Sequence, residues 1–332
     1  MPIFYVACNG QVKQRGIYVV SFDRENIQIV QHLETLDNPS YLVLKNDLLY
    51  ASLINMSTKN TRGGVSSYRL LASGLLEYNE NYASSGRSYV HLCVNYTNDY
   101  LFAANYQVGT TASYKLEDQM IKYKSNVAYH HGSKISHVSM VGLTPECNFV
   151  YSVDYGCDEI VLYRHVDGKL QEFRKQQVLS GSGPKELIFS QDGRFAYLLN
   201  ASTNTVMVFR YQENGLFLMV QMISTVPHHF KGTSQATAIG FSLDGSHLFV
   251  SNSGHDSIAM YACNKETGKL YLLYMVHTHE DPVDFGIYDD HIMVVACKKS
   301  NTIDFLKMNL NKDELKQTNE GIVLPEPVCI VM

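Results

Sequence analysis

Short apolar runs alternate with polar turns along the whole chain, and no long stretch shows the 3.6-residue period of an amphipathic helix. Runs such as TVMVF (205–209) and SIAMY (257–261) lie close to turns that contain Asp-Gly, as in SQDGR (190–194) and SLDGS (242–246). Short apolar runs bounded by such turns are typical of strands joined as antiparallel hairpins. The pattern therefore predicts an all-β protein.

One apolar run followed by a short polar loop recurs seven times, for example in LFAANY (101–106), AYLLNAS (196–202) and LFVSNSG (248–254). Such a period must be found before elements are assigned, because it indicates a repeat architecture. Aligned on one column, the seven copies place these residues at equivalent positions, 45 to 52 residues apart: Cys8, Leu53, Asn105, Asp154, Asn200, Asn252 and Cys297.

Each repeat predicts four strands, the first of them often opened by proline, as in PSYLVL (39–44) and GPKELIF (183–189). Four-stranded meanders at this period build a β-propeller, in which radial packing protects the strand edges. A long β-sandwich would explain the strands but not their even spacing. We therefore expect one domain over residues 1–332, an all-β, seven-bladed β-propeller of four-stranded antiparallel blades.

The last residues, PEPVCIVM (325–332), begin like the first strand of a repeat and then stop. In a ring, such an orphan strand can only complete a blade that the N-terminus began. We expect this strand to close the propeller.

Composition narrows the possible partners. The 332 residues are 45% hydrophobic and 18% charged, which is typical of a globular protein, and the net charge of −5 offers no general attraction to nucleic acid or to anionic membranes. The start, MPIFYVACNG, has no basic leader, and no apolar run approaches the length of a bilayer span. We expect a cytoplasmic protein that binds neither nucleic acid nor membrane; the oligomeric state stays open.

The seven cysteines include no C-x-x-C pair, so neither a zinc ribbon nor a disulfide framework is indicated. His130-His131 and His277-x-His279 offer metal-ligand types, but no third ligand stands at a recognisable spacing. The chain has no G-x-S-x-G motif and no glycine-rich phosphate loop. We therefore expect no metal and no cofactor.

The geometry of a blade selects candidate site residues. The first two strands are antiparallel, so the start of the first and the end of the second open on the same face of the propeller. The residues at these positions are His91, His137 to Ser139, Asn105, Tyr106, Asp154, Pro184 to Glu186, Asn200, Ala201, Gln235, Asn252, Ser253, Lys298 and the loop with His228 and His229.

Each of these residues also has a purely structural interpretation. An Asn at a strand end commonly bonds its own loop backbone, and Asp154 fits a turn. His255 and Asp256 fit a structural His-Asp pair as well as an active one.

The segments RGIYVVSFD (15–23), LFAANY, GSGPKELIFSQDGRFAYLLN (181–200), LDGSHLFVSNSGHDSIAMY (243–261) and PVCIVM (327–332) resemble signatures of the seven-bladed propeller lactonases. That family includes propeller-type 6-phosphogluconolactonases and carboxymuconate cyclases. The resemblance extends over all seven repeats. WD40 and kelch repeats fit poorly, because the chain has no Trp.

The resemblance implies lactone hydrolysis, in which a His and a Glu assist water while arginines hold an anionic substrate and the oxyanion. Here the family's Gly-Pro-Arg-His corresponds to Gly183 to Glu186, so that Lys185 stands for the arginine. Ala201, Ser253 and Val283 stand where the family has Glu, Arg and Arg. His137 keeps the first His of a Pro-His-x-His pattern, and His91 matches a family His.

Two hypotheses follow. In the first, the protein hydrolyses a small anionic sugar lactone with an altered site: His137 or Glu186 activates water, and the substrate is held by Lys185, Lys298, His91, Asn105, Asn200 and Asn252. In the second, the propeller is not catalytic and binds a small anionic metabolite or a protein partner, since one fold hosts many functions.

Overall fold

A computed structural model describes residues 2–23, 26–54, 63–83, 88–131 and 134–332. Within these residues, 28 strands form seven four-stranded antiparallel sheets. The predicted seven-bladed β-propeller is thus confirmed. In the described part of the chain, no helix has the length and apolar character that crossing a membrane requires.

The chain divides into two compact units, residues 1–178 with 331 and residues 179–330 with 332. The single domain expected over residues 1–332 stays a prediction.

The first unit contains the three N-terminal strands of blade 1 and all of blades 2 to 4. The strands of blade 1 are β1 (Ile3–Cys8), β2 (Gly16–Phe22) and β3 (Ile27–Glu34); those of blade 2 are β4 (Asn38–Lys45), β5 (Leu48–Ile54), β6 (Gly64–Leu70) and β7 (Leu76–Ala83); those of blade 3 are β8 (His91–Val94), β9 (Tyr100–Asn105), β10 (Thr110–Glu117) and β11 (Met120–Tyr129); and those of blade 4 are β12 (Val138–Leu143), β13 (Val150–Asp154), β14 (Glu159–Val166) and β15 (Lys169–Gln177).

The second unit contains blades 5 to 7 and most of the C-terminal strand. The strands of blade 5 are β16 (Pro184–Phe189), β17 (Phe195–Asn200), β18 (Thr205–Gln212) and β19 (Leu216–Ser224); those of blade 6 are β20 (Gln235–Phe241), β21 (His247–Ser253), β22 (Ser257–Cys263) and β23 (Leu270–His277); those of blade 7 are β24 (Pro282–Ile287), β25 (Ile292–Cys297), β26 (Thr302–Asn309) and β27 (Glu314–Val323), with a 3₁₀ turn at Leu310–Lys312; the last strand is β28 (Pro327–Val331).

The sheet of blade 1 has the strand order β28-β1-β2-β3. The C-terminal strand therefore occupies the place of the missing first strand, as the orphan PVCIVM predicted. In every blade, the strand at this position of the sheet is called the inner strand below.

The strand register bears out the repeat alignment. Pro39 pairs with Leu53, Val138 with Asp154, Pro184 with Asn200, Ala236 with Asn252, and Pro282 with Cys297. The aligned residue therefore ends, or nearly ends, the second strand of its blade. All seven aligned residues are buried.

Five inner strands, among the residues that the structure describes, carry a β-bulge at one position. The register shifts across one extra residue in each of β4, β12, β16, β20 and β24, and these residues are Ser40, Ser139, Lys185, Thr237 and Val283. A bulge leaves its extra residue out of the ladder and re-aims the side chains around it, which is why bulges are common beside active sites.

Neighbouring blades are joined by tyrosine hydroxyls on the second strands. Tyr5 donates to the carbonyl of Gly74 at 2.9 Å, and Tyr197 donates to that of Gly268 at 2.9 Å. Gly268 has φ +72°, and a Cβ there would lie 2.3 Å from the Phe195 ring, so only glycine fits. A tyrosine on the second strand thus supplies both apolar bulk and a hydrogen bond to the neighbouring blade.

Candidate functional site

The inner strand of blade 5 begins with a local sequence that forces an irregular start. Gly183 has φ +61°, a conformation open mainly to glycine, and its carbonyl accepts the N–H of Ala201 at 2.8 Å. Pro184 pairs with Asn200, and the bulge follows at Lys185. This geometry turns Lys185 toward blade 6, where its Nζ donates to the carbonyl of Thr237 on β20.

Glu186 follows this bulge and is the residue with the clearest acid-base character. Its Oε2 accepts the N–H of Ile239 at 3.3 Å, and its side chain is only partly exposed to solvent. Desolvation raises the pKa of Glu186 to about 7; the charge of Lys185 opposes this shift and that of Asp284 adds to it. A carboxyl group with a pKa close to neutral can both accept and return a proton at physiological pH.

Asp284 holds the corresponding position after the bulge in blade 7. Its Oδ2 accepts the N–H of Ile330 at 2.7 Å, and its Oδ1 accepts the N–H of Phe285 at 2.9 Å. Desolvation raises the pKa of Asp284 to about 6, against these two backbone bonds, a hydrogen bond with Cys329 and the charge of Lys185.

Sequence reasoning missed Asp284. The resemblance draws attention to Val283, where the family has an arginine. Aligning PVD (282–284) with PKE (184–186) at the proline would have placed Asp284 opposite Glu186.

Thr237 joins the three inner strands of the second unit. Its carbonyl accepts from Lys185 on β16, and its Oγ1 donates to the carbonyl of Pro282 on β24 at 2.6 Å. The bulged residues of blades 5 and 6 thus each reach the next blade. We call Lys185, Glu186, Thr237 and Asp284 the carboxyl cluster.

His137, in the first unit, has the geometry of a second candidate base. Its ring stacks on Tyr106 at a centroid distance of 4.5 Å, and Nδ1 lies 2.9 Å from the carbonyl oxygen of Tyr106. Because a carbonyl only accepts, Nδ1 must carry the proton, and in the neutral ring the lone pair is on Nε2. The backbone N–H of His137 donates to Oδ1 of Asp154 at 2.9 Å, which fixes the position of the residue.

Asp154 organises the turn after β13, as the structural interpretation of the sequence proposed. Its Oδ1 accepts the N–H groups of His137, Gly156 and Cys157, and its Oδ2 accepts from Ser136 and His130. Burial alone would raise the pKa of Asp154, but these hydrogen bonds hold it well below its usual range.

His130 has two further residues of metal-ligand type near it in the fold, which the spacing of the sequence did not reveal. His130, Asp154 and Glu159 present ligand atoms within 4.8 Å of one another. These atoms already have protein partners, however. His130 Nε2 lies 2.5 Å from the Tyr163 hydroxyl, and Glu159 accepts from Lys175 and from Gln177. Of the three residues, Asp154 is the one that bonds the backbone of His137 among the described contacts.

The three asparagines predicted to bind substrate hold loops in the structure. Asn105 Oδ1 accepts the N–H of Val108 at 3.1 Å, Asn252 Nδ2 donates to the carbonyl of Thr225 at 2.9 Å, and Asn200 Nδ2 donates across its own turn to Thr205. All three are buried. Their role in substrate binding stays a prediction.

His91 is buried on β8, and its ring packs 4.0 Å from that of Tyr41. Burial lowers the pKa of His91 to about 3. At neutral pH it is therefore uncharged, and its role in substrate binding stays a prediction.

The remaining candidates lie at several separate places. Lys298 is partly exposed in the turn after β25, and its N–H donates to the carbonyl of Asp281. His255 Nδ1 lies 2.7 Å from Ser257 Oγ, and Asp256 Oδ1 accepts the N–H groups of Gly254 and Asp281.

His255 also stacks on His277 and contacts Phe230, in the loop with His228 and His229. His279 pairs with Asp304 at 2.7 Å.

Comparison with known proteins identifies the family. A family model described as lactonase, 7-bladed beta-propeller, matches residues 3–332. The chain belongs to this lactonase family. It is 28% identical to the 6-phosphogluconolactonase of Bacillus subtilis over 99% of this chain and 97% of that protein. The periplasmic gluconolactonase of Pseudomonas aeruginosa has a similar structure, with a TM-score of 0.93 and 26% identity over 99% of this chain and 98% of the other.

Proposed function

We propose that this lactonase-family propeller hydrolyses a sugar lactone at the carboxyl cluster, with Glu186 as the general base. One observation carries the proposal: a carboxyl group with a pKa of about 7 lies on the inner strand of blade 5, beside a lysine ammonium. Perturbed carboxyl groups of this kind concentrate at functional sites. Family membership supplies the reaction type, and the two named relatives support a sugar lactone as the substrate class.

The chemistry needs one group that first accepts and later returns a proton. Ionised Glu186 takes a proton from water as the water oxygen attacks the lactone carbonyl carbon. The carbonyl oxygen becomes an oxyanion, which the ammonium of Lys185 stabilises. The bond between the carbonyl carbon and the ring oxygen then breaks, and Glu186 returns its proton to the ring oxygen. The product is the open-chain hydroxy acid, and Glu186 is again ionised.

The substrate is proposed to be small and anionic or neutral, because the cluster offers the charge of Lys185 rather than several guanidinium groups. We retain the expected cytoplasmic location as part of this proposal, although the Pseudomonas relative is a periplasmic protein. His137 is the alternative base.

The test measures hydrolysis of freshly prepared gluconolactone and 6-phosphogluconolactone against the spontaneous rate. We expect a protein-dependent rate with at least one of them. Calorimetric titration with 6-phosphogluconate accompanies the assay. Binding that depends on Lys185, without hydrolysis of either lactone, would contradict the proposal and favour the non-catalytic propeller.

A further inference from the structure

Three successive inner strands of the second unit place one residue each directly after the bulge. These residues are Glu186 on β16, Ala238 on β20 and Asp284 on β24. The two carboxyl groups therefore share one register position in blades 5 and 7, and blade 6 has an alanine at that position.

We propose that Asp284 is a positioning residue for this hydrolysis, a second carboxyl whose negative charge keeps Glu186 able to accept and return a proton near neutral pH. The inference rests on the proposed function. It gives a role to Asp284, whereas the resemblance to the family concerns the neighbouring Val283.

Hydrogen bonds fix both carboxyl groups in place. Asp284 accepts backbone N–H groups at both oxygens, from Ile330 at 2.7 Å and from Phe285 at 2.9 Å, and Glu186 accepts that of Ile239 at 3.3 Å. The strongly held Asp284 is thus the fixed member of the pair.

The ionisable groups around the pair come from three strands. β16 contributes Lys185 and Glu186, β24 contributes Asp284, and β28 contributes the thiol of Cys329, whereas β20 has no ionisable side chain. The two carboxylates thus share the ammonium of Lys185. One ammonium can neutralise only one of the two carboxylates, so the other carboxyl group is favoured in its protonated form.

The hydrogen bonds assign the roles. Backbone N–H groups bind both oxygens of Asp284, whereas Glu186 accepts one such bond at Oε2. Desolvation raises the pKa of both carboxyl groups. Interacting groups titrate as a pair. Near neutral pH, ionised Asp284 raises the proton affinity of Glu186, which makes Glu186 the member that exchanges its proton during the reaction.

Two substitutions should move the titration of Glu186 in opposite directions. Asp284→Asn removes a negative charge and should shift it downward by about half a pH unit or more, whereas Lys185→Met removes a positive charge and should shift it upward. Asp284→Glu keeps the charge and should restore the parent behaviour in part. Asp290→Asn, in the exposed turn between β24 and β25, is the matched control.

The experiment follows the Glu carboxyl signals by ¹³C NMR in the full chain, with Glu186→Gln assigning the signal, and records the pH-rate profile of lactone hydrolysis. We expect the acid limb of the profile to move with the NMR titration. A Glu186 titration that is unchanged in Asp284→Asn would overturn the inference even if hydrolysis is observed. A titration that moves without any hydrolysis would overturn the proposed function, and with it the catalytic role of the pair.

Discussion

Lys185 shows how a single side chain limits what an anion site can do. A lysine ammonium is a point charge, whereas a guanidinium binds carboxylate or phosphate through two parallel hydrogen bonds. Lys185 also donates to the carbonyl of Thr237. The residue therefore has a structural partner as well as its proposed role at the oxyanion.

Lys185→Arg should increase the preference for a phosphorylated lactone. The ratio of kcat/KM for 6-phosphogluconolactone to that for gluconolactone should rise by about tenfold or more. A guanidinium has further N–H donors that can contact the phosphate in addition to the oxyanion, and one good charge-assisted hydrogen bond is worth about 1.5–3 kcal/mol. Initial rates on both lactones measure the ratio. An unchanged or lower ratio would show that residue 185 does not contact the phosphate.

Phosphorylated lactones should be poor substrates of the parent protein. The resemblance implies that Lys185, Ala201, Ser253 and Val283 replace Arg, Glu, Arg and Arg of the family. Loss of one oxyanion donor costs on the order of a hundredfold in rate. Turnover of 6-phosphogluconolactone near the enzyme median of about ten per second would contradict this prediction.

Glu186 should make the protein less stable as the pH rises. Its pKa is about 7 in the folded protein against an ordinary value of 4.5, so the folded state binds more protons between these limits. Stability contributed by the protonated group is present below pH 4.5 and is lost as the pH rises through 7.

Glu186→Gln should therefore raise the melting temperature relative to the parent at about pH 8, and by less at about pH 5. Thermal unfolding at both pH values is the measurement, and Glu213→Gln, in an exposed turn of blade 5, is the control. An equal difference at the two pH values would be inconsistent with the raised pKa.

Single residues also show where sequence reasoning stops. Lys185 and Glu186 can be found because the strand opening GPKE is visible in the sequence. The position of Asp284 can be found by the same alignment, but its raised pKa cannot, because that shift depends on desolvation, which arises only when the inner strands pair. The contact of His255 Nδ1 with Ser257 likewise depends on the conformation of the turn.

Among the elements, side-chain amides connect the outer strands of neighbouring blades. Gln221 on β19 donates to the carbonyl of Leu270 at 2.9 Å and accepts its N–H at 2.8 Å. Gln31 on β3 makes the same two bonds with Leu76, at 2.7 and 2.8 Å. The first residue of the next outer strand thus gains a partner for both backbone groups.

Gln221→Ala should destabilise the protein by about 1–3 kcal/mol, because it leaves two backbone groups of Leu270 without their partner. Urea unfolding measures the effect. Gln171→Ala, on the exposed face of β15, is the matched control and should change stability by less than about 0.5 kcal/mol. Equal effects of the two substitutions would show that the amide bridge contributes nothing.

Strands are easier to predict than their irregularities. The apolar runs and Asp-Gly turns predict the strand order, and the seven aligned residues lie where the repeat places them. The inner-strand bulges cannot be predicted in this way, because a bulge is a property of two paired strands rather than of one segment.

For the molecule as a whole, the repeat alone predicts seven blades, because its period and number leave few other architectures. The C-terminal strand is predicted from the same count. Its Ile330 N–H also holds Asp284, so β28 connects the architecture to the carboxyl cluster.

Deletion of residues 325–332 should therefore lower the melting temperature sharply, since it removes the inner strand of blade 1 and the backbone donor to Asp284. Thermal unfolding of the shortened protein is the measurement. An unchanged melting temperature would show that β28 is not needed to close the fold.

The assignment of Glu186 as the base in lactone hydrolysis is tested by the initial rate on a sugar lactone above the spontaneous rate. The rate is compared in the parent, Glu186→Gln, His137→Gln and the control Glu213→Gln. We predict a loss of about a hundredfold or more for Glu186→Gln, and a rate close to that of the parent for Glu213→Gln. A Glu186→Gln variant as active as the parent, with activity lost instead in His137→Gln, would contradict this assignment.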